Sequence, residues 1–426
     1  MKIERADTDQ EAQRAMLFTD SIHHGMCATG PLLLTIEGEP AAYREGSEGE
    51  LGGDDDGDVA VQAFGGGRIV IRGNFAFGGR GGEVSRVREN QLAAYDIATG
   101  KLVWKRKAPA PKPPGDSPEG AAPAEPCGFI GAPATYGSLV IAPVLCGREL
   151  CLAALDRETG EEAWVTALGT EPAFMGPGEN AAAALAVESG EAYLIAGSGA
   201  AFSVDAVSGS LNWAVGYDRT PYPSASRRNA AFNVFGDRFG TSAPAASGWD
   251  DDAIIVHGGT AIFFPSDAEE AFAVDRSTGE LAWEIVRDPF GPALRGGYPL
   301  GVVDGRLFVG GPRVARAYDA ETGRLVWQAE IDPDDDPSLA GQNANPIGGR
   351  LDEAAPRASF AKGIATPGGI YLPLSRHIVR LDPASGQMLA TYPCQTGADE
   401  PVGHLYSDGE RLLALGLARV YALKAE

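Results

Sequence analysis

The sequence predicts an all-β fold, a β-propeller built from four-stranded antiparallel blades, and three observations support it. A nine-residue phrase occurs six times along the 426-residue chain. Short apolar runs flank each copy, as expected for two strands joined by a hairpin. The aspartates that open the copies are 60, 49, 70, 44 and 63 residues apart, and one four-stranded sheet with tight turns needs roughly 40–45 residues. Each repeat therefore predicts one blade.

The phrase starts with aspartate, continues with Thr-Gly or Ser-Gly three and four residues later, and usually has tryptophan four residues after the glycine. We expect the aspartate to accept backbone hydrogen bonds in the turn, the glycine to supply the positive φ of a bulged hairpin, and the tryptophan ring to lie between neighbouring sheets. Six repeated positions cannot form one active site, so we assign them to structure. They are Asp96, Gly100 and Trp104; Asp156, Gly160 and Trp164; Asp205, Gly209 and Trp213; Asp275, Gly279 and Trp283; Asp319, Gly323 and Trp327; and Asp382 and Gly386, with Ala390 in the tryptophan position.

The blade count follows from the motifs and from the end of the chain. Six motifs predict six blades, and Val402–Tyr406, Arg411–Leu415 and Val420–Lys424 read as three further strands without a motif hairpin. We predict seven blades, with eight as the alternative. A strand near the N-terminus, either Leu32–Ile36 or Ile3–Arg5, would close the ring and remove its open edge.

The phrase resembles the Ala-x-Asp-x-x-Thr-Gly-x-x-x-Trp repeat of the PQQ-like β-propeller family over residues 21–426. That family includes quinoprotein alcohol dehydrogenases and BamB-type outer-membrane assembly lipoproteins, and this chain is closest in character to BamB-like and unassigned bacterial repeat proteins. The resemblance implies a cell-envelope or periplasmic location. It also implies pyrroloquinoline quinone with Ca²⁺ for the dehydrogenase members. Those enzymes typically carry two adjacent cysteines beside the quinone, and no two of the five cysteines are adjacent here, so we expect no cofactor.

The N-terminal extension and the overall charge limit the function classes. Residues 1–20 precede the propeller, and Thr8–Glu11 resembles a capping box that opens a short helix through about Phe18. We find no apolar run long enough to span a membrane, no signal-peptide core and no lipobox cysteine. The net charge of −23 disfavours nucleic acid as a partner.

Extra length occurs in four places. Segments 109–126, 216–240 and 332–357 follow the tryptophan strands of three blades, so we expect them to leave the ring on one face, opposite the motif turns. An insertion at 37–88 interrupts the first blade, and Val59–Phe64 and Arg68–Arg72 within it predict an extra hairpin. Loops on a rigid scaffold are where function is usually located.

Segment 216–240 combines arginines with aromatic side chains, which is typical of interface hot spots. We predict that it binds a protein or peptide partner, the alternative being that its aromatics pack on the propeller. The candidate binding residues are Tyr217, Arg219, Tyr222, Arg227, Arg228, Phe232, Phe235, Arg238 and Phe239.

No pattern for catalysis emerges. The five histidines lack metal-ligand spacing, the acidic run 54–58 lacks the glutamate of a calcium loop, and we find no nucleophile elbow, phosphate loop or dinucleotide fingerprint. The spacing of Cys146 and Cys151 suits two thiols across a hairpin, either bonded or free. We therefore predict a monomeric, non-catalytic interaction scaffold. The alternatives are a sensor of small ligands or polysaccharides and, less favoured, a quinone-dependent dehydrogenase.

Overall fold

A computed structural model describes the strands and tight turns of the chain. The described residues are 25–38, 59–62, 68–71, 87, 89–111, 126–147, 149–169, 183–218, 252–265, 268, 270–286, 297–311, 314–331, 362–374, 377–393, 402–407, 411–415 and 420–423. All regular elements among them are β-strands, which confirms the predicted all-β class. Among these residues we find no helix long and apolar enough to cross a membrane. The predicted N-terminal helix lies outside the described residues.

The thirty strands of the described residues are numbered in chain order. The first sheet and the hairpin inserted in it contain β1 (Met26–Thr29), β2 (Leu32–Glu37), β3 (Val59–Gln62), β4 (Arg68–Ile71), β5 (Gln91–Asp96) and β6 (Leu102–Lys107). The second sheet contains β7 (Cys127–Phe129), β8 (Ala134–Tyr136), β9 (Leu139–Cys146), β10 (Glu149–Asp156) and β11 (Glu162–Ala167). The third contains β12 (Ala184–Glu188), β13 (Glu191–Ile195), β14 (Ala200–Asp205) and β15 (Leu211–Gly216).

The remaining sheets follow the same order. The fourth contains β16 (Ala253–His257), β17 (Thr260–Phe264), β18 (Glu270–Asp275) and β19 (Leu281–Val286). The fifth contains β20 (Tyr298–Val303), β21 (Arg306–Gly310), β22 (Val314–Asp319) and β23 (Leu325–Glu330). The sixth contains β24 (Ile364–Thr366), β25 (Gly369–Pro373), β26 (His377–Leu381) and β27 (Met388–Pro393), and the seventh β28 (Leu405–Ser407), β29 (Leu412–Leu415) and β30 (Val420–Leu423).

Strand order within the sheets is that of propeller blades. Consecutive strands pair antiparallel in each sheet, except that β7 and β8 both pair with β9, and β3 and β4 form the separate hairpin predicted inside the 37–88 insertion. Leu32–Glu37 pairs with β1 on one side and β5 on the other. The prediction that Leu32–Ile36 closes the ring is therefore wrong, since both of its edges are occupied. Ile3–Arg5 lies outside the described residues, and the blade number and the ring closure stay predictions.

Each motif turn joins the third and fourth strands of its sheet and has the predicted geometry. In the third sheet, Asp205 Oδ1 accepts from the Ser208 backbone N–H at 2.7 Å, and the Gly209 N–H donates to the Asp205 carbonyl at 2.9 Å. A bulge follows in each of the six hairpins. The six motif glycines have φ between +67° and +74°, where a residue with a Cβ is strained.

The motif tryptophans connect each sheet to the next. A Cβ placed on Gly160 would lie 2.7 Å from the Trp104 ring, so only glycine lets the ring approach this closely. The indole N–H of Trp104 donates to the Arg157 carbonyl at 2.8 Å. Trp213, Trp283 and Trp327 make the equivalent bond at 2.8, 3.2 and 3.0 Å. The hydrophobic core consequently forms layers between consecutive sheets.

A candidate partner-binding face

The two faces of the sheet stack differ in their connections. Motif turns and the turns between first and second strands meet on one face, where the Ala206 N–H donates to the Gly190 carbonyl at 2.8 Å and the Arg157 N–H to the Ser138 carbonyl at 2.7 Å. We call this the motif face. Second and fourth strands end on the opposite face, which we call the long-loop face. The strand ends from which the four long segments leave all lie there: Glu37, Lys107, Gly216 and Glu330.

A disulfide fixes the strand that follows segment 109–126. Cys127 at the start of β7 is bonded to Cys146 at the end of β9, directly opposite it, and the Gly147 N–H donates to the Pro126 carbonyl at 3.1 Å. A Cys146–Cys151 disulfide is therefore excluded. Cys151 faces Val144 across β9 and β10 and keeps a free, buried thiol, and burial raises the pKa of that thiol to about 12.

Asn90 fixes the end of the 37–88 insertion to the second sheet. Its side-chain N–H donates to the Phe129 carbonyl at 2.8 Å, and its side-chain oxygen accepts from the Phe129 backbone N–H at 2.7 Å. Asn90 is 2% exposed. The Asn90 side-chain amide thus pairs with the backbone of Phe129 in β7 as a neighbouring strand residue would. Its N–H group and its oxygen therefore both have a hydrogen-bond partner in a buried position.

His404 holds the chain that returns after segment 332–357. Its Nδ1 accepts from the Lys362 backbone N–H at 2.9 Å, while the Leu405 N–H donates to the Lys362 carbonyl at 2.9 Å. The Gly363 N–H donates to the hydroxyl of Tyr298 at 3.0 Å. His404 is a buried structural acceptor. Sequence reasoning did not single out this contact because its partner is 42 residues away.

Tyr217 is the one predicted binding residue that the described part of the chain includes. Its N–H donates to the Gly199 carbonyl at 3.0 Å, and its half-buried ring lies 5.5 Å from the ring of Phe272 in the fourth sheet. Tyr217 therefore packs on the propeller at the start of segment 216–240, as in the alternative interpretation of that segment. Eight predicted residues lie outside the described part of the chain and stay a prediction: Arg219, Tyr222, Arg227, Arg228, Phe232, Phe235, Arg238 and Phe239.

Charged pairs stand near both ends of the 37–88 insertion. Glu37 accepts from Lys105 Nζ at 2.6 Å and from the Tyr95 hydroxyl, and hydrogen bonding to Lys105 is the main reason that the pKa of this carboxyl is lowered. Lys107 pairs with Glu89 at 2.5 Å. The side chains of these pairs are between 30% and 62% exposed. Solvent therefore screens the pairs, so they contribute little stability and mainly set the charge pattern at the edge of the long-loop face.

The described inner strands do not fit a quinone and cation site. The inner strands β8, β12, β16, β20 and β24 are almost entirely uncharged, and Glu188 is their one carboxylate. A Ca²⁺ ion needs six to eight oxygen ligands, several of them carboxylates. Among the residues that the structure describes, no group of three His, Cys, Asp or Glu side chains could hold a metal ion.

A shallow cavity lies beside the outer strand β11. It measures about 290 Å³ and is lined by Pro111 and by the outer strand β11 around Trp164. The buried indole N–H of Trp164 has no hydrogen-bond partner among the described residues. The cavity has no charged cluster and does not suggest a catalytic centre.

Comparisons with known proteins agree with this architecture. The family model described as "Outer membrane protein assembly factor BamB" matches residues 44–243 and 267–345, more than half of the chain. No curated protein matches the sequence at a significant level.

Three solved structures illustrate the structural similarity. BamB from Moraxella catarrhalis is 12% identical with a TM-score of 0.47, and the match covers 79% of this chain and 80% of that one. A europium-containing methanol dehydrogenase is 13% identical, with a TM-score of 0.45 and coverage of 79% and 75%. Quinohemoprotein alcohol dehydrogenase ADHIIG from Pseudomonas putida HK5 is 13% identical, with a TM-score of 0.43 and coverage of 78% and 61%.

Proposed function

Since this chain belongs to the family of the outer membrane protein assembly factor BamB, we propose that it is a non-catalytic scaffold that holds a protein or peptide partner on its long-loop face. One observation carries the proposal. The strand ends that lead into all four long segments lie on the same face of a rigid sheet stack, and loops held by a rigid scaffold are where proteins place binding residues.

The roots of these segments support this role. The Cys127–Cys146 disulfide, the Asn90 side chain and the His404 side chain each fix a point where the chain re-enters the sheets. A scaffold that positions its loops in this way loses less conformational entropy when a partner binds. The Arg and aromatic content of 216–240 provides the residue types that dominate interfaces.

We also propose a location in the cell envelope. Disulfides persist in oxidising compartments and are rare where thiols are kept reduced. The Cys127–Cys146 bond closes a 19-residue separation within one sheet. Alkylation of unreduced protein from cells followed by mass spectrometry should leave Cys127 and Cys146 unmodified, and a modified pair would contradict this location.

The binding proposal is tested by charge reversal in segment 216–240. Arg227→Glu combined with Arg228→Glu should abolish capture of the partner from a cell-envelope extract, because two cations at the predicted interface become anions. Lys101→Glu combined with Arg324→Glu makes the same change in charge on exposed residues of the motif face and should leave capture intact. Equal capture by both double variants and the unaltered chain would show that the segment is not the binding site.

The non-catalytic part of the proposal is tested with the cofactor of the dehydrogenase relatives. We expect pyrroloquinoline quinone, with or without Ca²⁺, to produce no saturable rise in Tm, because the described inner strands do not offer the ligands for the cation. A ligand that binds the folded state raises Tm with concentration. A saturable rise together with a quinone absorption band would refute the non-catalytic assignment.

A further inference from the structure

Three cysteines of the second sheet lie in one hydrophobic layer, which packs between the first and second sheets. Cys127 and Cys146 form the disulfide that joins β7 to β9, and Cys151 of β10 keeps a free thiol. All three side chains are buried members of this layer. The second sheet therefore places a disulfide and a free thiol on the same face.

Strand register makes Cys151 a near neighbour of Cys146. Glu149 lies directly opposite Cys146, and Cys151 is two residues further along β10, opposite Val144. The Cys151 thiol donates to the Glu149 carbonyl at 3.7 Å, so it points towards the strand position that faces Cys146. Diagonal neighbours of this kind have Cα atoms about 7–8 Å apart, and a disulfide spans up to about 7 Å. A shift of about 1 Å between β9 and β10 would let the two sulfurs bond.

This neighbourhood is at the end of the β9–β10 hairpin. Cys146 is the last residue of β9 and Glu149 the first of β10, and Gly147 between them has φ of +58°. Strand ends separate more readily than strand middles. A small opening at this end moves Cys151 relative to Cys146 and leaves the pairing of 152–156 with β9 intact.

We propose that Cys146 exchanges its disulfide partner between Cys127 and Cys151, and that the exchange loosens the root of segment 109–126. The Cys151 thiol loses its proton to hydroxide, and the resulting thiolate attacks Cys146 Sγ. The Cys146–Cys151 bond forms as the Cys127–Cys146 bond breaks, and Cys127 leaves as a thiolate that takes a proton from water. The two bonds share Cys146 and exclude each other, and the exchange involves no net oxidation or reduction.

Loss of the Cys127 bond acts on the long-loop face. Cys127 follows segment 109–126 directly, and the Pro109 carbonyl oxygen lies 3.8 Å from Cys146 Sγ. The three-residue strand β7 pairs with β9 within the described residues, and the disulfide is its covalent link to that strand. A loop root that gains freedom loses more entropy when a partner binds, so the exchanged form should bind more weakly. This consequence rests on the proposed function, whereas the exchange does not.

Burial keeps the resting protein in the Cys127–Cys146 form. It raises the pKa of the Cys151 thiol to about 12, and the Glu149 carboxylate adds to the increase. The thiolate fraction is then about 10⁻⁵ at pH 7 and rises about tenfold per pH unit. Exchange should therefore be slow near neutral pH and much faster in mild alkali. The residues of the neighbouring elements in this environment carry no charged side chain: Val144 of β9, Ala167 of β11, and Cys27, Leu34, Leu92, Ala94 and Trp104 of the first sheet.

Peptide mapping of the unaltered chain follows the exchange directly. Trypsin cleaves after Arg148, so Cys127 and Cys146 share the peptide 108–148 and Cys151 lies in the peptide 149–157. Incubation at about pH 10, followed by acid quenching and N-ethylmaleimide in denaturant, should label Cys127 and leave the two peptides cross-linked, whereas the label should stay on Cys151 at about pH 7. A label that stays on Cys151 at both pH values would refute the exchange.

Two variants distinguish Cys151 from other attacking thiols. Cys151→Ser should keep the Cys127–Cys146 bond at both pH values. Cys27→Ser is the matched control, because the Cys27 thiol packs against the same layer from β1, and its removal should leave the exchange unchanged. Exchange that persists in Cys151→Ser, or that stops in Cys27→Ser, would show that a different thiol attacks and would overturn the proposal.

Partner capture tests the consequence separately. The unaltered chain, exchanged in alkali, trapped at Cys127 with N-ethylmaleimide and returned to neutral pH, should capture several-fold less partner. Cys151→Ser taken through the same treatment should capture as much as before. Equal capture by the exchanged and resting forms would refute the regulatory part of the proposal. If the resting chain captured no partner, the proposed function would fail, and the peptide map would still decide whether the exchange occurs.

Discussion

At the residue scale, one carboxylate organises each motif turn. Asp156 Oδ1 accepts from the Thr159 backbone N–H at 2.9 Å, from the Thr159 hydroxyl at 3.0 Å and from the Glu158 N–H at 3.0 Å. Hydrogen bonds to the ionised form favour it over the protonated form. The turn therefore depends on aspartate in its charged state, which explains why the same residue type occupies all six positions.

These aspartates predict loss of stability in acid. Hydrogen bonds from Thr or Ser groups in the turn lower the pKa of Asp96, Asp156, Asp205, Asp275 and Asp319 from the ordinary value of 3.8. A carboxyl whose pKa is lower in the folded state stabilises the fold fully above the unfolded pKa, and loses that contribution as pH falls through the folded pKa. We expect Tm to fall steeply below about pH 4, and the fall to be smaller in Asp205→Asn. A Tm that stays constant as the pH falls below this value would contradict the assigned role of the motif aspartates.

The Trp213 ring should be among the most costly side chains to remove. It is 8% exposed, lies 6.2 Å from the Phe263 ring and donates to the Arg276 carbonyl. Trp213→Ala should lower the free energy of unfolding by about 3–5 kcal/mol because it leaves a cavity between two sheets. Trp213→Phe keeps most of the ring and loses the hydrogen bond, so it should cost less. Urea unfolding measures the free energy of unfolding of both variants. Equal losses in Trp213→Ala and Trp213→Phe would mean that the packing of an aromatic ring at this position contributes nothing.

At the element scale, local spacing predicted the hairpins but not the pairing of β7. Motif residues lie within one hairpin, so their relative positions follow from the sequence alone. Cys127 and Cys146, in contrast, meet because β7 pairs with the far end of β9. Cys151 is closer to Cys146 in sequence, yet its strand position faces Val144. The cysteine pairing therefore depended on strand register, which the spacing of thiols does not specify.

The disulfide should stabilise the second sheet measurably. A cross-link over a 19-residue separation is worth about 3 kcal/mol in the chain-entropy account. Cys127→Ala combined with Cys146→Ala should lower Tm, and dithiothreitol should lower the Tm of the unaltered chain but not that of the double variant. Cys27→Ala, which removes a free thiol, is the control. If dithiothreitol also lowered the Tm of the double variant, its effect would not come from reduction of the Cys127–Cys146 disulfide.

At the scale of the whole molecule, the sheets form a sequential stack. Each hydrophobic layer contains residues from two consecutive sheets, as in the layer that joins Tyr193 and Ile195 to Phe263 and Phe272. Arg276 adds a polar connection there, donating to the Tyr193 hydroxyl at 2.8 Å and to Glu191 at 3.0 Å. Stability in such a stack depends on the interfaces between neighbouring sheets.

The net charge of −23 should make stability depend on salt. Like charges spread over a compact surface repel one another, and salt screens that repulsion. The described residues include three ion pairs, and in two of them both side chains are at least 30% exposed, so the weakening of ion pairs in salt is the smaller effect. We expect Tm to rise between about 10 mM and about 150 mM NaCl. A lower Tm at the higher concentration would show that favourable ion pairs outweigh the repulsion.

Part of the candidate site followed from the sequence. We could predict from the sequence which strands the long segments follow. Their common face then followed because strand direction alternates regularly within an antiparallel sheet. The contacts of Asn90 and His404 could not, since each joins backbone from a different sheet. Tyr217 was recognised as an aromatic residue at a loop root, but its packing against Phe272 depended on how the third and fourth sheets lie together.

The sequence by itself determined the repeat, the hairpins and the roles of the motif aspartate, glycine and tryptophan, because those roles depend on spacing within about ten residues. The tertiary structure alone decided which cysteines bond, that Leu32–Glu37 is the second strand of the first sheet and not the closing strand, and which buried side chains hold the loop roots. These features depend on register and on contacts between sheets, and such contacts join residues that are far apart along the chain.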